Sequence, residues 1–492
     1  MSRTSIGVLL EAFAEHDQRV AITHAQGDWS YAELLTRIHR MARALRSQGV
    51  RRGQVIALLT GNRPETFVLR CATHVLGATA AVLYERLTDE QLIELLRAAE
   101  VATLVFPTGP EAERALAALR AVPGAAGLTL GPQPGVVDLA ALAEAESAEP
   151  VPVDAQVTDV ATIRLTGGST GTPKRVPYDF RVPGYFAPAA LAAWQDATQL
   201  LCTPVGHLAG TLADVLLAAG GRVVLQERFD PVAVLEAIER ERVTYLWLPA
   251  NLLPPLLDVP GMDAIDVSGL RAITLGGGAS SARQLARAVD RFGAIIAQGY
   301  GANEIGQVTM LTAEEHRKPE LLTTAGRPVP GIELSIRDAE GEPVDTGVAG
   351  EIWVRGPQMM PGYFKDPERT AKALRDGWFH SGDLGFRDAA GYLTVVGRST
   401  DGPCARAVEQ ALTASPDVQS ALAFEIADPE GGEQVCVAVV PAPGSELSEQ
   451  DIQSRVADDH GFVSVLILDA LPTSGSGKPD RVALQRLYRS IS

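Results

Sequence analysis

Apolar positions along the chain change their period several times, and those changes divide it. The opening stretch MSRTSIGVLLEAFAEHD carries a short apolar stripe quickly broken by acids, which predicts an amphipathic helix beginning after Thr4 or Ser5. RVAITHAQ followed by GDWSYAEL predicts a hairpin running into a long helix that ends at Gly49, with Ser30 as its N-cap. QVIALLTGN, HVLGATAAVLY and VATLVF are short apolar runs of the kind found in buried parallel strands. The segment Gly124 to Pro152, rich in Gly, Pro, Ala and Glu, is expected as a surface excursion. Strand-like runs resume at VATIRL and continue through RVVLQE, TYLWLP, RAITLG and AIIAQGYG. Four of them end at glycines or polar residues, where α/β sheets place their ligands.

From residue 331 to 397 the pattern shortens to alternating segments (IELSIRD, GEIWVRG, GYLTVVG) between Gly and Asp turns, which predicts an antiparallel β subdomain. STDGP, at 399–403, is a turn-rich break. The expected organisation is an α/β protein: a large N-terminal domain (1–397) of parallel-rich sheets with its β subdomain, a hinge (398–403), and a small α+β C-terminal domain (404–492).

Composition narrows the function classes. Sixty acids against 43 Lys plus Arg give a net charge of −17, which argues against a nucleic-acid or anionic-membrane partner, since both favour a basic face. An anionic substrate would need a local basic site built against this field. Cys71, Cys202, Cys404 and Cys436 show no CxxC spacing, so neither a zinc site nor a redox pair is indicated. They read as reduced thiols of a cytoplasmic protein. The N-terminal stretch does not read as a signal peptide, and no apolar run approaches the ~20 residues that span a bilayer.

The densest chemical signal is TGGSTGTPK, from Thr166 to Lys174, directly after the strand VATIRL. Glycines let backbone amides turn toward a phosphate, hydroxyls add donors, and the lysine supplies a compact positive charge. The GxxxxGK[ST] pattern of a Walker loop is absent, because Lys174 follows Pro173.

TGGSTGTPK resembles the phosphate loop of the adenylate-forming superfamily, which contains acyl-CoA synthetases, aryl-adenylating enzymes, peptide-synthetase adenylation domains and luciferases. Four further motifs fall in that family's order: QGYGANEIG (298–306), GEIWVRGPQMMPGYFKDPERT (350–370) with DGWFHSGDLG (376–385), VVGRSTD (395–401) and LPTSGSGKPDR (471–481). The resemblance spans nearly the whole chain. It implies a mobile C-terminal lid and a reaction in which ATP and Mg²⁺ convert an acid to its AMP anhydride.

The same resemblance assigns roles. Attack of an anion on the α-phosphate of ATP is opposed by charge repulsion, so Mg²⁺ and cations must screen the developing negative charge. Glu304 is expected to hold Mg²⁺ with Thr170, and Lys478 to reach the α-phosphate and the acid's oxygen. Thr166, Gly167, Gly168, Ser169, Thr170, Gly171 and Lys174 would cradle phosphates. Tyr300 would stack on adenine against Gly276–Ser280, placing Gly278, Ala279 and Ser280 at the nucleotide together with Gly301 and Asn303. Asp383 would accept from the ribose hydroxyls, with Arg398 nearby, and Asp401 would mark the hinge. His207, in PVGHLAG, matches a position beside the acid's carboxylate, and Gly276 and Gly277 would line the acid pocket with Trp247–Asn251. His380 looks structural.

The chain departs from the family in three places. Asn303 replaces a threonine, and Arg175 replaces the glycine after the phosphate-loop lysine. The third is a shortening: Asp401 passes through GPCARA almost directly to Val408 and Glu409, where the family has a hairpin that lines the pantetheine tunnel. Adenylation is therefore expected and thioester formation with CoA is placed in doubt. The acceptor of the activated acid stays open among an amine, CoA and a carrier protein. Two other readings stay open: a diazotase that activates nitrite as its AMP anhydride for attack by an aryl amine, and a non-catalytic nucleotide-binding homologue.

Overall fold

The computed structural model describes residues 3–166, 173–399, 405–427, 433–460, 464–473 and 479–491. The chain forms two compact units, Met1–Leu246 with Met360–Pro367 and Trp247–Met359 with Glu368–Ser492.

In the first unit a seven-stranded sheet runs in the order Val137–Asp138, Ala126–Leu130, Val101–Pro107, Val55–Leu58, Thr79–Val82, Val160–Thr166 and Lys174–Asp179. All of its pairings are parallel except the last, which is an antiparallel hairpin. Every residue of Val55–Leu58 and Thr79–Val82 is buried, as expected where helices cover both faces of a parallel sheet. One face packs Leu92, Leu95 and Leu96 against Leu104 and Phe106. The same unit pairs Thr198–Leu201 with Arg222–Leu225, and the latter with Val20–His24.

The N-terminal predictions hold closely. The helix Ser5–Glu15 is capped by Thr4, and Tyr31–Ser47 starts in a reciprocal capping box between Ser30 and Glu33. Two expectations change. Gly124–Pro152 is no surface excursion: Ala126–Leu130, Val137–Asp138 and the helix Leu139–Ala145 extend the sheet at its edge. Only Leu128 and Thr129 are covered by the two-residue edge strand Val137–Asp138, so AGLTL sits near the rim of the sheet and needs no continuous apolar run. Likewise, in HVLGATAAVLY only Thr79–Val82 is strand, and His74–Val75 close the preceding helix Pro64–Val75.

The second unit contains the parallel pair Ala272–Gly276 and Ile296–Ala302, with Gly306–Leu311 returning antiparallel. An antiparallel sheet follows, built on Glu333–Arg337, Gly350–Arg355, Trp378–Arg387 and Leu393–Arg398. The C-terminal part places Val418–Ala427, Glu433–Pro441 and Ser464–Ile467 in a three-stranded sheet. Its side chains alternate with the strand period of two. Ala423, Val437 and Val439 pack with Val408, Leu412, Ile452 and Val456, whereas Phe424, Cys436 and Ala438 pack with Leu484.

This C-terminal part docks on the helix Ala282–Phe292 largely through main-chain oxygens. Buried Gln284 donates to the Gln419 carbonyl (3.0 Å), and Arg283 donates to the Ser415 carbonyl (3.3 Å). Gln419 in turn donates to Asp258 (2.8 Å), whose other oxygen accepts from Arg287 (2.8 Å).

Candidate active site

In the first unit the phosphate-loop hairpin is anchored at its base, with Thr166 directly opposite Lys174. Gly167, Gly168, Ser169, Thr170 and Gly171 lie outside the described residues. Thr166 Oγ1 is buried with no hydrogen-bond partner among the described residues, a condition that a ligand oxygen or water would relieve. Lys174 Nζ lies 5.5 Å from the centroid of the Tyr363 ring. The departure at Arg175 has a structural meaning. Its side chain is buried, and its Nε donates to the Phe364 carbonyl (3.1 Å) with Asp366 3.6 Å away. The Phe364 amide returns a bond to the Arg175 carbonyl (2.8 Å). Arg175 thus ties the hairpin to the segment 364–366.

His207 is the N-cap of the helix Leu208–Ala218. The turn before it is gripped by Asn62, which donates to the Thr203 carbonyl (2.7 Å) and accepts from the Val205 amide (2.8 Å). A Cβ on Gly210 would fall 1.9 Å from the Val205 carbonyl oxygen, so only glycine lets the helix start here. Tyr84 lies flat beside His207, with ring centroids 5.1 Å apart and planes 13° from parallel. Its hydroxyl contacts His207 Nε2 and donates to the Leu165 carbonyl (2.6 Å). Burial holds the Tyr84 phenol far above its ordinary pKa, so it stays protonated. Farther along the same helix, Asp214 accepts two bonds from Arg70 (2.6 and 2.5 Å). Asn62 and Tyr84 were not picked out from the sequence. Their signal is positional, because each follows a fully buried parallel strand at its C-terminal end, the side where such sheets bind ligands.

In the second unit the strand Ile296–Ala302 carries Tyr300 and Gly301 into a turn holding Asn303 and Glu304. A Cβ on Gly301 would meet the Gly306 carbonyl at 2.2 Å, which fixes glycine there. Tyr300 donates to Asp383 Oδ2 (2.7 Å), and Arg398 Nε lies 3.2 Å from Asp383 Oδ1. Asp383 and Arg398 are cross-strand partners, so the pairing follows from register. Burial, then the Asp383 charge, raises the Tyr300 phenol well above its ordinary range. The Gly276–Gly278 turn runs beside Trp247 and Ala250, with a Gly276 Cβ position 3.7 Å from Trp247 Nε1 and a Gly278 Cβ position 3.8 Å from the Ala250 Cβ. Ser280 Oγ and Gln298 Oε1 are buried without hydrogen-bond partners among the described residues.

Glu304 is 5% exposed, and among the described residues no group of three or more His, Cys, Asp or Glu is placed to hold a metal. A lone carboxylate still suits Mg²⁺, which takes one or two protein carboxylates and fills its octahedron with phosphate oxygens and water. His380 is buried against Trp353 (3.6 Å between centroids), with Arg375 2.6 Å from its Nδ1. Burial, then Arg375, lowers its pKa, as suits a packing residue. Lys478 and Asp401 lie outside the described residues. The flanks of the lysine loop meet, however: Thr473 bridges Pro479, and the Asp480 amide donates to the Pro472 carbonyl (2.9 Å).

Known proteins match this chain over nearly its full length. The family model for AMP-binding enzymes covers residues 9–364, and that for the C-terminal domain of AMP-binding enzymes covers 407–478. The chain belongs to the AMP-binding enzyme family. It is therefore an adenylate-forming enzyme of the superfamily that the motifs indicated. Its AMP-binding relatives include the medium/long-chain-fatty-acid–CoA ligase FadD8 of Mycobacterium tuberculosis, 31% identical across 98% of this chain and 89% of that protein. The feruloyl-CoA synthase of an Amycolatopsis species is 34% identical across 93% and 94%. Among solved structures, the amide bond synthetase McbA from Marinactinospora thermotolerans superposes with a TM-score of 0.84 at 34% identity, covering 98% of this chain and 99% of that one. No helix among the described residues is long and apolar enough to cross a membrane.

Proposed function

We propose that this AMP-binding enzyme adenylates a small-molecule carboxylic acid with ATP and passes the acyl group to an amine, releasing AMP. The observation that carries the second half is the short link after the antiparallel sheet. The strand Leu393–Arg398 ends and the helix Ala405–Thr413 begins with only residues 399–404 between them. A link this short supports the reading that the hairpin through which the family lines a pantetheine tunnel is shortened here. The likeness to an amide bond synthetase supports the same acceptor.

In this reading the phosphate loop and Lys174 neutralise the triphosphate, and Asp383 with Arg398 receives the ribose. Tyr300 and the Gly276–Ser280 turn hold adenine. Mg²⁺, held by Glu304 with Thr170, would supply charge neutralisation at the phosphates. Lys478 offers a cation to the α-phosphate and the acid's oxygen, where negative charge grows as the anhydride forms. His207 faces the carboxylate carbon.

The test is incubation with ATP, Mg²⁺ and panels of carboxylic acids, with amines, CoA, or nitrite plus an aryl amine, reading AMP and product mass. Amide formation with an acid and an amine is the expected result. Rapid acyl-CoA formation would refute the inference from the short link, and AMP release dependent on nitrite would make the enzyme a diazotase.

A further inference from the structure

The strand that enters the phosphate loop carries a charge with no counter-charge. Burial along Val160–Thr166 alternates with the strand period of two. Ala161, Ile163 and Leu165 are buried on one face, and Arg164 lies half-buried on the other with Thr162 and Thr166. Arg164 Nη2 donates to Thr211 Oγ1, and the guanidinium carbon lies 4.1 Å from the centroid of the Tyr178 ring. Among the described residues no carboxylate pairs with it. Asp214, three positions beyond Thr211, gives both of its oxygens to Arg70. A guanidinium has five N–H groups, and this one bonds through Nη2 alone among the described residues. The rest are not sealed in, because no Arg164 nitrogen is both buried and unpartnered. Thr211 accepts from Arg164 and keeps its own hydroxyl proton, which meets no acceptor among the described residues.

These donors lie one helical turn from His207. The Thr211 amide donates to the His207 carbonyl (3.4 Å), which puts the two residues on one flank of the helix Leu208–Ala218. The Arg164 charge acts on the phenol of Tyr84, the ring that stacks on His207. The turn Gly184–Phe186 packs against the same helix and carries Tyr185, whose phenol also feels the Arg164 charge. Tyr185 and Leu208 are both exposed. Apolar surface is therefore open at each end of this span, Leu208 next to His207 and Tyr185 near Arg164.

We infer that Arg164 and Thr211 bind a second carboxylate carried by the acid substrate, so that dicarboxylic acids are the preferred substrates. The inference rests on the adenylation reading above, which puts the reacting carboxylate at His207, and does not depend on the acceptor. One helical turn is ~5.4 Å, the scale of a benzene ring that bears carboxylates at its meta or para positions. A planar guanidinium meets a carboxylate through two parallel N–H bonds, and the Thr211 hydroxyl can add a third. A monocarboxylic acid that displaces water from Arg164 leaves the charge unanswered, whereas a second carboxylate takes the place of that water. In a protein of net charge −17, an unpaired cation beside the site is a local attractor for anions. The anchored carboxylate is held off the α-phosphate, so a symmetrical diacid is activated at one end only.

ATP–pyrophosphate exchange with benzoate, isophthalate and terephthalate, and with butanoate and glutarate, reads acid selection before any acceptor enters. The expected result is a kcat/KM for at least one diacid about 10–10²-fold above that of its monoacid, the range set by hydrogen bonds to a charged group. Arg164→Met should lower the diacid value by about 10–10²-fold more than the monoacid value, chiefly through KM for the diacid. Arg164→Lys, which keeps the charge without the fork, should recover part of the preference, and Thr211→Val should lose a smaller part than Arg164→Met. Calorimetry of the same acids with the intact protein, without ATP, makes the comparison independent of turnover. There the wild-type protein should bind a diacid more tightly than its monoacid, and Arg164→Met should not. Equal treatment of diacids and monoacids by the wild-type protein overturns the inference, as does an equal loss for every acid in Arg164→Met. A higher KM for ATP in Arg164→Met with every acid would assign the charge to the triphosphate and overturn it too. Diacid binding through Arg164 with no exchange from any acid would refute the adenylation reading and uphold the subsite. Normal exchange with no amide product would refute only the choice of acceptor.

Discussion

The ion pair between Arg70 and Asp214 connects the helix Pro64–Val75 to the helix that His207 caps, and its removal has a calculable cost. Both side chains are largely excluded from water, at 9% and 14% exposure, and the guanidinium meets the carboxylate through two bonds of 2.6 and 2.5 Å. Burial opposes the charge on Arg70, yet Asp214 raises its pKa, so the guanidinium stays charged. Arg70→Met keeps the apolar stem and leaves a carboxylate with little access to water. Breaking a buried pair from one side costs about 3–5 kcal/mol. For a unit of this size each kcal/mol moves the thermal midpoint by at least ~2 °C, so Arg70→Met should lower it by roughly 6–10 °C. In Arg70→Met/Asp214→Leu both charges are gone, and most of the loss should return, because the isolated charge rather than the missing attraction sets the cost. The assay is the thermal midpoint of wild type, both single variants and the double, with ATP–pyrophosphate exchange measured on each. A shift under ~2 °C for Arg70→Met would refute the reasoning. So would a double variant no more stable than Arg70→Met.

Other perturbations have distinct readouts. Asp383→Ala should raise the KM for ATP in pyrophosphate exchange by at least about tenfold, since bonds to a charged acceptor contribute ~1.5–3 kcal/mol each. Lys478→Ala should slow adenylation by at least ~10²-fold with little change in ATP affinity, the loss typical of one group that stabilises transition-state charge. Arg175→Gly should lower the thermal midpoint and restore no activity, because the arginine braces 364–366; a stabilised variant would show that the tie is idle. Glu315 gives a pH test. Burial pushes its carboxyl up, but the Thr312 amide, Tyr392 and Arg327 outweigh burial and hold it at about 2. Its contribution, roughly 3 kcal/mol, is complete above the unfolded value near ~4.3 and fades as pH falls toward 2. Glu315→Gln should therefore flatten the fall of unfolding free energy between about pH 4.5 and 3, measured by denaturant titration.

Much of this architecture was legible in the sequence where one local rule dominates. Ser30 with Glu33 announces a helix start, and period-two alternation in GEIWVRG announces a strand, because each depends on near neighbours alone. The adenylate-forming chemistry was legible too, through five ordered motifs. Failures came where the deciding partner is remote. AGLTL at 126–130 is a strand because Val101–Pro107 offers it an edge, which no property of the segment itself reveals. Tyr84 lies 123 positions before the His207 that it stacks on, and its hydroxyl bonds the Leu165 carbonyl, so no local pattern marks the contact. Arg175 had no readable purpose until Phe364, 189 positions later, came beside it. Hydrogen bonds over such separations have no periodic signature.

The docking of the C-terminal sheet has a consequence for how this protein can change over time. Two of its bonds end on the peptide carbonyls of Ser415 and Gln419. Every amino acid brings the same carbonyl, so substitutions at these two positions leave both acceptors in place. Gln284 and Arg283 have no such freedom, because their donors are side chains. Random mutagenesis scored for retained docking should therefore give an asymmetric map, permissive at 415 and restrictive at 284.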